Sequence, residues 1–520
     1  MPENKNSAVE KSRRGLLKMV FSRTMMITVL LLANFALVFL LIFKLIEGLP
    51  ILFGSVILFT AVMELIILNS PYHVNIKLTW CVIVAVLPLF GAVMYFFIRY
   101  DLGNCVSKRL VEASIRIGQP FVAEQQELLR KIEAEDQNLY NLATYLDRYA
   151  LAPVYENTAV KYFPLGEDKF AELLVQLEKA EKFIFMEYFL ISEGHMWNSI
   201  LDVLERKAAQ GVEVRVLYDG MNAYYNLPYS YPKMLEKKGI RCKMFAPVRP
   251  FVSTHYNNRD HRKIVVIDGQ TAFTGGVNLE DCYINRVHPY GHWKDTAVML
   301  RGDAVRSFTL MFLQMWNATE NKRDFAPYLI PTKHREQAEG YVIPYGDTPT
   351  DRENVGEMVY LNMINQAKNY IHIMTPYLIL DAEMTTALKF AAKRGVDVQL
   401  ILPHVPDKKS VFAMAKSHYR ELIEAGVKIY EYTPGFVHAK VFLSDDLHGV
   451  VGTINLDYRS LYHHFECAAY LYKVPALEDI REDFRQTREK SQLITMEEVK
   501  KESAATRFWG AMLKVFAPLM

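Results

Sequence analysis

The sequence predicts an α/β protein of two tandem repeats that face a shared cleft, preceded by N-terminal transmembrane helices. Three observations predict it. The first hundred residues contain three hydrophobic runs. From about Leu128 helices alternate with short apolar strands. The stretch His261–Asn278 is answered, residue by residue at its polar positions, by His438–Asn455. The expected divisions are residues 1–103 for the membrane region, 104–152 for a helical linker, 153–340 and 341–500 for the two halves, and 501–520 for an apolar tail.

The first run, Met25–Phe43, carries no charge and is close to the ~20 residues a helix needs to cross the hydrocarbon core. The second, Leu49–Leu68, carries Glu64, which is costly in lipid. The third, Leu78–Ile98, is interrupted by Pro88 and Gly91. Lys11, Arg13, Arg14, Lys18 and Arg23 precede the runs, and Arg99, Lys108, Arg109 and Arg116 follow them. Both sets favour the cytoplasm, which three full spans cannot satisfy. One run is therefore re-entrant or interfacial, or one set of charges is overruled.

Beyond the runs, Leu128–Tyr149 reads as a polar amphipathic helix joining membrane and catalytic parts. The tail Arg507–Met520 is apolar with two cations, and either lies on a bilayer surface or packs as an ordinary helix. Five scattered cysteines, none in a CxxC pair, read as reduced packing residues and ask for no structural metal. A formal net charge of +2 carries no signature of nucleic-acid binding.

The repeat carries the chemistry. Without gaps it matches His261 to His438, Lys263 to Lys440, Asp268 to Asp445, Gly275 to Gly452 and Asn278 to Asn455. Upstream, Ala208–Asp219 answers Ala392–Pro403, and Leu235–Phe245 answers Leu422–Tyr432. Side chains alternate along a strand, so His261 and Lys263 share a face while Arg262 points away. His438, Lys440 and Ala439 repeat the arrangement. The following apolar residues make these interior strands, so the buried histidines and lysines need a polar destination. A cleft shared by the two halves supplies one. Asp268 and Asp445 complete the motif and are counted with the catalytic set, although an odd spacing and a turn position favour a structural role.

One histidine on each side of a cleft offers a nucleophile and a general acid–base. The lysines and asparagines offer charge and donors to the oxygens of a phosphodiester. The motifs lack the clustered carboxylates of metal-dependent phosphoryl transfer, so neither metal nor cofactor is expected.

The paired motifs closely resemble those of the phospholipase D superfamily, and within it the bacterial cardiolipin synthases. HRKIVVIDGQTAFTGGVNLED, HWKDTAVML, MTPYLIL, FVHAKVFLSDD, GTINLDYRS and the tail ending APLM carry the resemblance along nearly the whole chain. It implies that His261 attacks phosphorus and His438 protonates the leaving alkoxide and later deprotonates the incoming alcohol. It implies that Lys263, Lys440, Asn278 and Asn455 bind phosphate. It also implies that an acid after each motif, Asp295 or Glu466, orients that motif's histidine. The expected partners are phosphatidylglycerol and membrane phospholipids, the expected location a bacterial cell membrane crossed more than once. Two other functions remain open: a nuclease with the same motifs, disfavoured by the hydrophobic runs, and a phosphatidyltransferase or lipase with another acceptor.

Overall fold

The computed structural model describes residues 23–42, 50–100, 105–247, 258–320, 323–333, 338–351 and 353–519. The cations at Lys11, Arg13, Arg14 and Lys18 lie outside these residues. So do Phe43 and Leu49 at the ends of the first two runs, and residues 101–103 of the expected membrane region.

The chain forms two units. In the first, the helices Arg23–Ile42 and Pro50–Leu68 carry the first two runs. The third run, whose Pro88 and Gly91 interruption left a full span or a re-entrant segment open, forms two short helices, Val74–Val86 and Pro88–Arg99. Pro88 has no N–H to continue the first helix and suits the opening position of the next. The pair folds back as a hairpin. Trp80 meets Tyr95 edge-on at 5.7 Å, and a Cβ on Gly91 would stand 2.9 Å from the Val84 Cα. Met63 and Ile67 join the same small core. Among the described residues no helix is long and apolar enough to cross a membrane.

The second unit comprises residues 107–247 and 257–518. The linker holds the helix Cys105–Gly118, and its stretch Leu128–Tyr149, expected as one helix, falls in two, Gln126–Glu135 and Gln137–Ala150. Asp136 separates them and caps the second, accepting from the N–H groups of Asn138 and Leu139 at 2.8 and 3.0 Å.

Two mixed sheets follow. The first half supplies β1 (Thr158–Phe163), β2 (Phe183–Tyr188), β3 (Glu213–Asp219), β4 (Arg241–Phe245), β5 (Lys263–Ile267), β6 (Thr271–Gly275), the short β7 (His292–Lys294) and β8 (Ala297–Gly302). The second supplies β9 (Tyr341–Asp347), β10 (Tyr370–Met374), β11 (Asp397–Pro403), β12 (Lys428–Tyr432), the short β13 (Gly435–Val437), β14 (Val441–Ser444), β15 (His448–Gly452), β16 (Glu466–Tyr472) and β17 (Ser491–Leu493). The first sheet runs β1-β8-β6-β5-β2-β3-β4 and the second β9-β16-β15-β14-β10-β11-β12-β17. The order is the same strand for strand, with β17 added at one edge. The sheets pack face to face over one core that takes Phe185, Ile264 and Val266 from the first and Val441, Leu443 and Ala469 from the second. Helices cover the outer faces, where Trp197 and Tyr419 are buried.

The helix Ala504–Phe516 packs one face on the helix Lys409–Glu424. A Cβ on its buried Gly510 would stand 2.7 Å from the Ala413 carbonyl oxygen. Its other face is exposed.

Candidate active site

The two histidine strands meet through a crossed connection. β7 pairs in parallel with β13, and the N–H of His438 donates to the Lys294 carbonyl at 2.7 Å. Asp260 likewise bridges Phe465, and the N–H of His261 donates to the Phe465 carbonyl at 2.9 Å. Each histidine is thus registered on the residue just before an acid of the opposite half. The side chains follow. His261 Nδ1 lies 2.9 Å from both carboxylate oxygens of Glu466, and His438 Nδ1 lies 2.6 Å from Asp295 Oδ2. This corrects the expectation that each acid serves the histidine of its own motif. Sequence order groups acid and histidine in one half, but the backbone pairs that aim them run between halves.

A carboxylate can only accept, so in each pair Nδ1–H donates and Nε2 is left to face the cleft. All four groups are buried. Burial pushes His261 down to about 3 against the pull of Glu466, and His438 down to about 4 with the Lys440 charge adding to it. Burial alone would raise Glu466, but His261 and His464 outweigh it and hold the carboxyl well below its usual range. Both imidazoles are therefore neutral at pH 7.

Lys263 Nζ donates to the His261 carbonyl at 2.7 Å. Lys440 Nζ donates to the His438 carbonyl and lies 2.9 Å from His438 Nδ1. Burial pulls Lys263 down to about 8 and Lys440 to about 7. Asn278 donates to the Tyr283 hydroxyl at 2.7 Å and accepts from the Leu190 N–H at 3.2 Å. One amide hydrogen remains for a ligand. Asn455 Oδ1 is buried with no hydrogen-bond partner.

Asp268 and Asp445 are not in the cleft, which corrects their place in the catalytic set. Each sits at the far end of its histidine strand with φ of +54°. Asp268 accepts from the N–H groups of Glu181, Lys182 and Phe183 at 2.7–2.8 Å. Asp445 accepts from those of Lys368, Asn369 and Tyr370 at 2.7–2.9 Å. Both therefore tie the start of a neighbouring strand, β2 or β10, to the turn. The repeated glycines have a packing cause. A Cβ on Gly275 would stand 2.4 Å from the Thr296 oxygen, and one on Gly452 2.3 Å from the Ala468 Cβ. Only glycine lets the acid-bearing segment lie this close.

Sequence reasoning missed three features. Thr453 donates its hydroxyl to Glu466, and only its place beside the repeated glycine hinted at it. His464 Nδ1 lies 3.5 Å from Glu466, and its ring centroid 5.4 Å from that of His261. Tyr283, Trp293 and Phe436 wall in His438, with ring centroids 5.3–5.9 Å away. Ligand atoms of His261, His464 and Glu466 lie within 4.8 Å of one another. Two histidines and a carboxylate could hold a metal, but His261 Nδ1 is already engaged by both Glu466 oxygens, so an ion would displace that contact.

Two repeated α/β halves that each give a histidine and a lysine to one cleft, and an acid to the other half's histidine, define the phospholipase D class. The family described as "Cardiolipin synthase, PLD-like domain" matches residues 173–316 and 360–488, over half of the chain, and the chain belongs to that family. An uncharacterized protein of Streptococcus mutans is 53% identical over 88% of this chain and 99% of its own length. A cardiolipin synthase of Alkalihalophilus pseudofirmus is 34% identical over 88% of this chain and 91% of its own. The fold is also similar to a phosphatidylserine synthase of Haemophilus influenzae, with a TM-score of 0.55 at 14% identity over 74% of this chain and 98% of that one.

Proposed function

We propose that the chain makes cardiolipin, moving a phosphatidyl group from one phosphatidylglycerol to another and releasing glycerol. The crossed pairs His261–Glu466 and His438–Asp295 carry the reading. Each acid holds one imidazole tautomer with Nε2 presented. His261 Nε2 attacks phosphorus, and the P–O bond to the glycerol headgroup breaks. His438 supplies the proton to that alkoxide, then takes the proton of the incoming lipid hydroxyl as its oxygen attacks the phosphohistidine. The bound diester's negative charge favours protonated His438, which burial otherwise disfavours. Lys263, Lys440, Asn278 and Asn455 hold the non-bridging oxygens, where charge develops. Asp268 and Asp445 keep the strands in register and touch no substrate.

The membrane is part of the proposal. Continued through Phe43 and Leu49, the runs that carry the helices Arg23–Ile42 and Pro50–Leu68 would reach roughly 30 Å at about 1.5 Å per residue, and Leu32, Leu58 and Leu65 stand exposed on the described parts. Both runs continue past the described residues. The helices Val74–Val86 and Pro88–Arg99 are each too short to span, and as a re-entrant hairpin they reconcile the two basic clusters with one cytoplasmic side. A bilayer at the cleft favours a lipid hydroxyl over water as acceptor. The test is to supply purified protein with phosphatidylglycerol vesicles alone. Cardiolipin and glycerol in equal amounts, with little phosphatidic acid, are expected. Dominant phosphatidic acid would make it a lipase, and a need for a second lipid would mean another acceptor.

A further inference from the structure

The tail helix Ala504–Phe516 presents Phe508 and Trp509, each 60% exposed, and Met512, 43% exposed, on the face opposite buried Gly510. Beside them runs a surface groove of about 660 Å³ lined by Lys409, Phe412, Lys416, Trp509 and Leu513 among others. Lys416 at its rim pairs with Glu502, also of the lining, at 2.8 Å, and Lys409 stands beside them, so an apolar floor below the Lys409 ammonium matches an acyl chain below an anionic headgroup. The end of this helix is tied to the cleft. Ala517 is buried against Tyr458, Ile379 and Met414, and Tyr458 follows Asn455 by three residues. The Pro518 carbonyl lies 3.4 Å from His463 Nε2, next to His464 of the site.

We infer that this helix face, with the groove beside it, is an interfacial docking surface that seats the second unit on an anionic phospholipid bilayer. Tryptophan and phenylalanine suit the headgroup level, where an apolar ring meets water. Because the helix ends on the segment that carries Asn455, docking it fixes how the cleft wall meets the lipid surface. The inference rests on the reading that the substrate is a bilayer phospholipid.

The experiment uses the full chain reconstituted in phosphatidylcholine vesicles with brominated acyl chains, with and without phosphatidylglycerol. Bromine quenches tryptophan on contact. The difference between the natural protein and Trp509→Phe isolates Trp509 from the other four tryptophans. Trp509 is expected to be quenched, and more strongly when phosphatidylglycerol is present. The double variant Phe508→Glu/Trp509→Glu is expected to lose turnover several-fold on bilayer phosphatidylglycerol and to keep its rate on a short-chain form dispersed in solution. An unquenched Trp509 overturns the inference. So does cross-linking of a cysteine placed at Met512 to a second copy or to the N-terminal segment. Quenching does not depend on the product formed, so phosphatidic acid in place of cardiolipin would defeat the proposed reaction and leave the docking face standing.

Discussion

In the first half, the positions between the sheets beside the histidine strand hold Glu187, Asp260 and Arg262. In the second half, the same positions hold Met374, Val437 and Ala439, as the pairings Glu187↔Ile264 and Met374↔Val441 fix. Three polar residues in one half thus correspond to three apolar ones in the other. Arg262 uses its Nε to donate to the Glu466 carbonyl at 3.1 Å and an Nη to donate to that of Asp347 at 3.4 Å. The acid that serves His261 is therefore held from behind by a guanidinium, while the acid that serves His438 has no such clamp at the matching position. The acids differ too. Glu466 meets His261 with both oxygens and takes a hydrogen bond from Thr453. Asp295 uses one oxygen on His438 and the other on its own neighbour, the Thr296 N–H, at 2.8 Å. In place of Thr453 stands Gly276, where a Cβ would collide with Asp295 Oδ1 at 2.0 Å. The repeat keeps histidine, lysine and acid in both halves but backs them differently, so the two histidines sit in unlike surroundings, as the two proposed steps require.

The largest expected effect separates those steps. His261→Ala should abolish both turnover and any covalent phosphatidyl-protein. His438→Ala should abolish turnover on phosphatidylglycerol yet accumulate labelled protein from a lipid whose leaving alcohol is already acidic. Acid-quenched gels with radiolabelled lipid read this out. Label that depends on His438 and not on His261 would reverse the roles.

The crossed acids come next. Glu466→Gln should behave like the loss of His261 and Asp295→Asn like the loss of His438, each costing roughly 10²–10⁴ in rate by freeing the imidazole tautomer. Labelling that survives Glu466→Gln and fails in Asp295→Asn would mean that each acid serves its own half.

Much of this was legible in the sequence, because duplication prints the same residues twice at a fixed spacing. The histidines and the acids that hold them meet at the interface between the halves. The crossing was not legible, since it depends on β7 pairing with β13, and pairing between halves leaves no local pattern. Arg262 was read only as pointing away from the cleft. Its target is a backbone carbonyl of the other half, which no side-chain motif announces. The third hydrophobic run stayed open because composition alone does not say whether Pro88 bends a helix or ends it. Val84 against Gly91 decides for a hairpin.

A smaller effect concerns pH. Burial lowers Lys263 to about 8 and Lys440 to about 7, so both lose their charge as pH rises through that window. Phosphate binding should be strongest below it and weaken above it. The diester keeps one charge throughout, so the change belongs to the enzyme. The KM for short-chain phosphatidylglycerol should rise between pH 6.5 and 9, and Lys440→Ala should flatten that rise while lowering turnover by about two to three powers of ten. A KM independent of pH would place the lysines away from phosphate. Asp268→Ala, by contrast, should cost about 3 kcal/mol or more of stability through three lost charge-assisted hydrogen bonds. Its rate per folded molecule should be unchanged, as calorimetry and active-site counting would show.

The smallest expected effect tests the comparison itself. Burial and the neighbouring Asp260 carboxyl push Glu187 well above the carboxylate range, and burial raises Asp260 to about 6 against the opposing pull of Arg262. The guanidinium touches neither carboxyl: from Arg262, Asp260 accepts only the backbone N–H, at 3.3 Å, and the side chain of Arg262 lies close enough to act on both acids through its charge. Removing Arg262 leaves the Glu466 and Asp347 carbonyls without their guanidinium donor, at about 1–3 kcal/mol for each buried group left unsatisfied. Arg262→Ala alone should therefore lower the melting temperature sharply and blunt formation of the covalent intermediate, since the clamp on Glu466 goes with it. Replacing all three residues by the other half's set, Glu187→Met, Asp260→Val and Arg262→Ala, removes the buried charges together and leaves side chains that the second half already packs at these positions. The triple variant should recover part of the lost stability while keeping the slower covalent step. Recovery of both would mean that the polar set serves the fold alone. Recovery of stability without rate would mean that Arg262 makes His261 the better nucleophile by holding its acid in place.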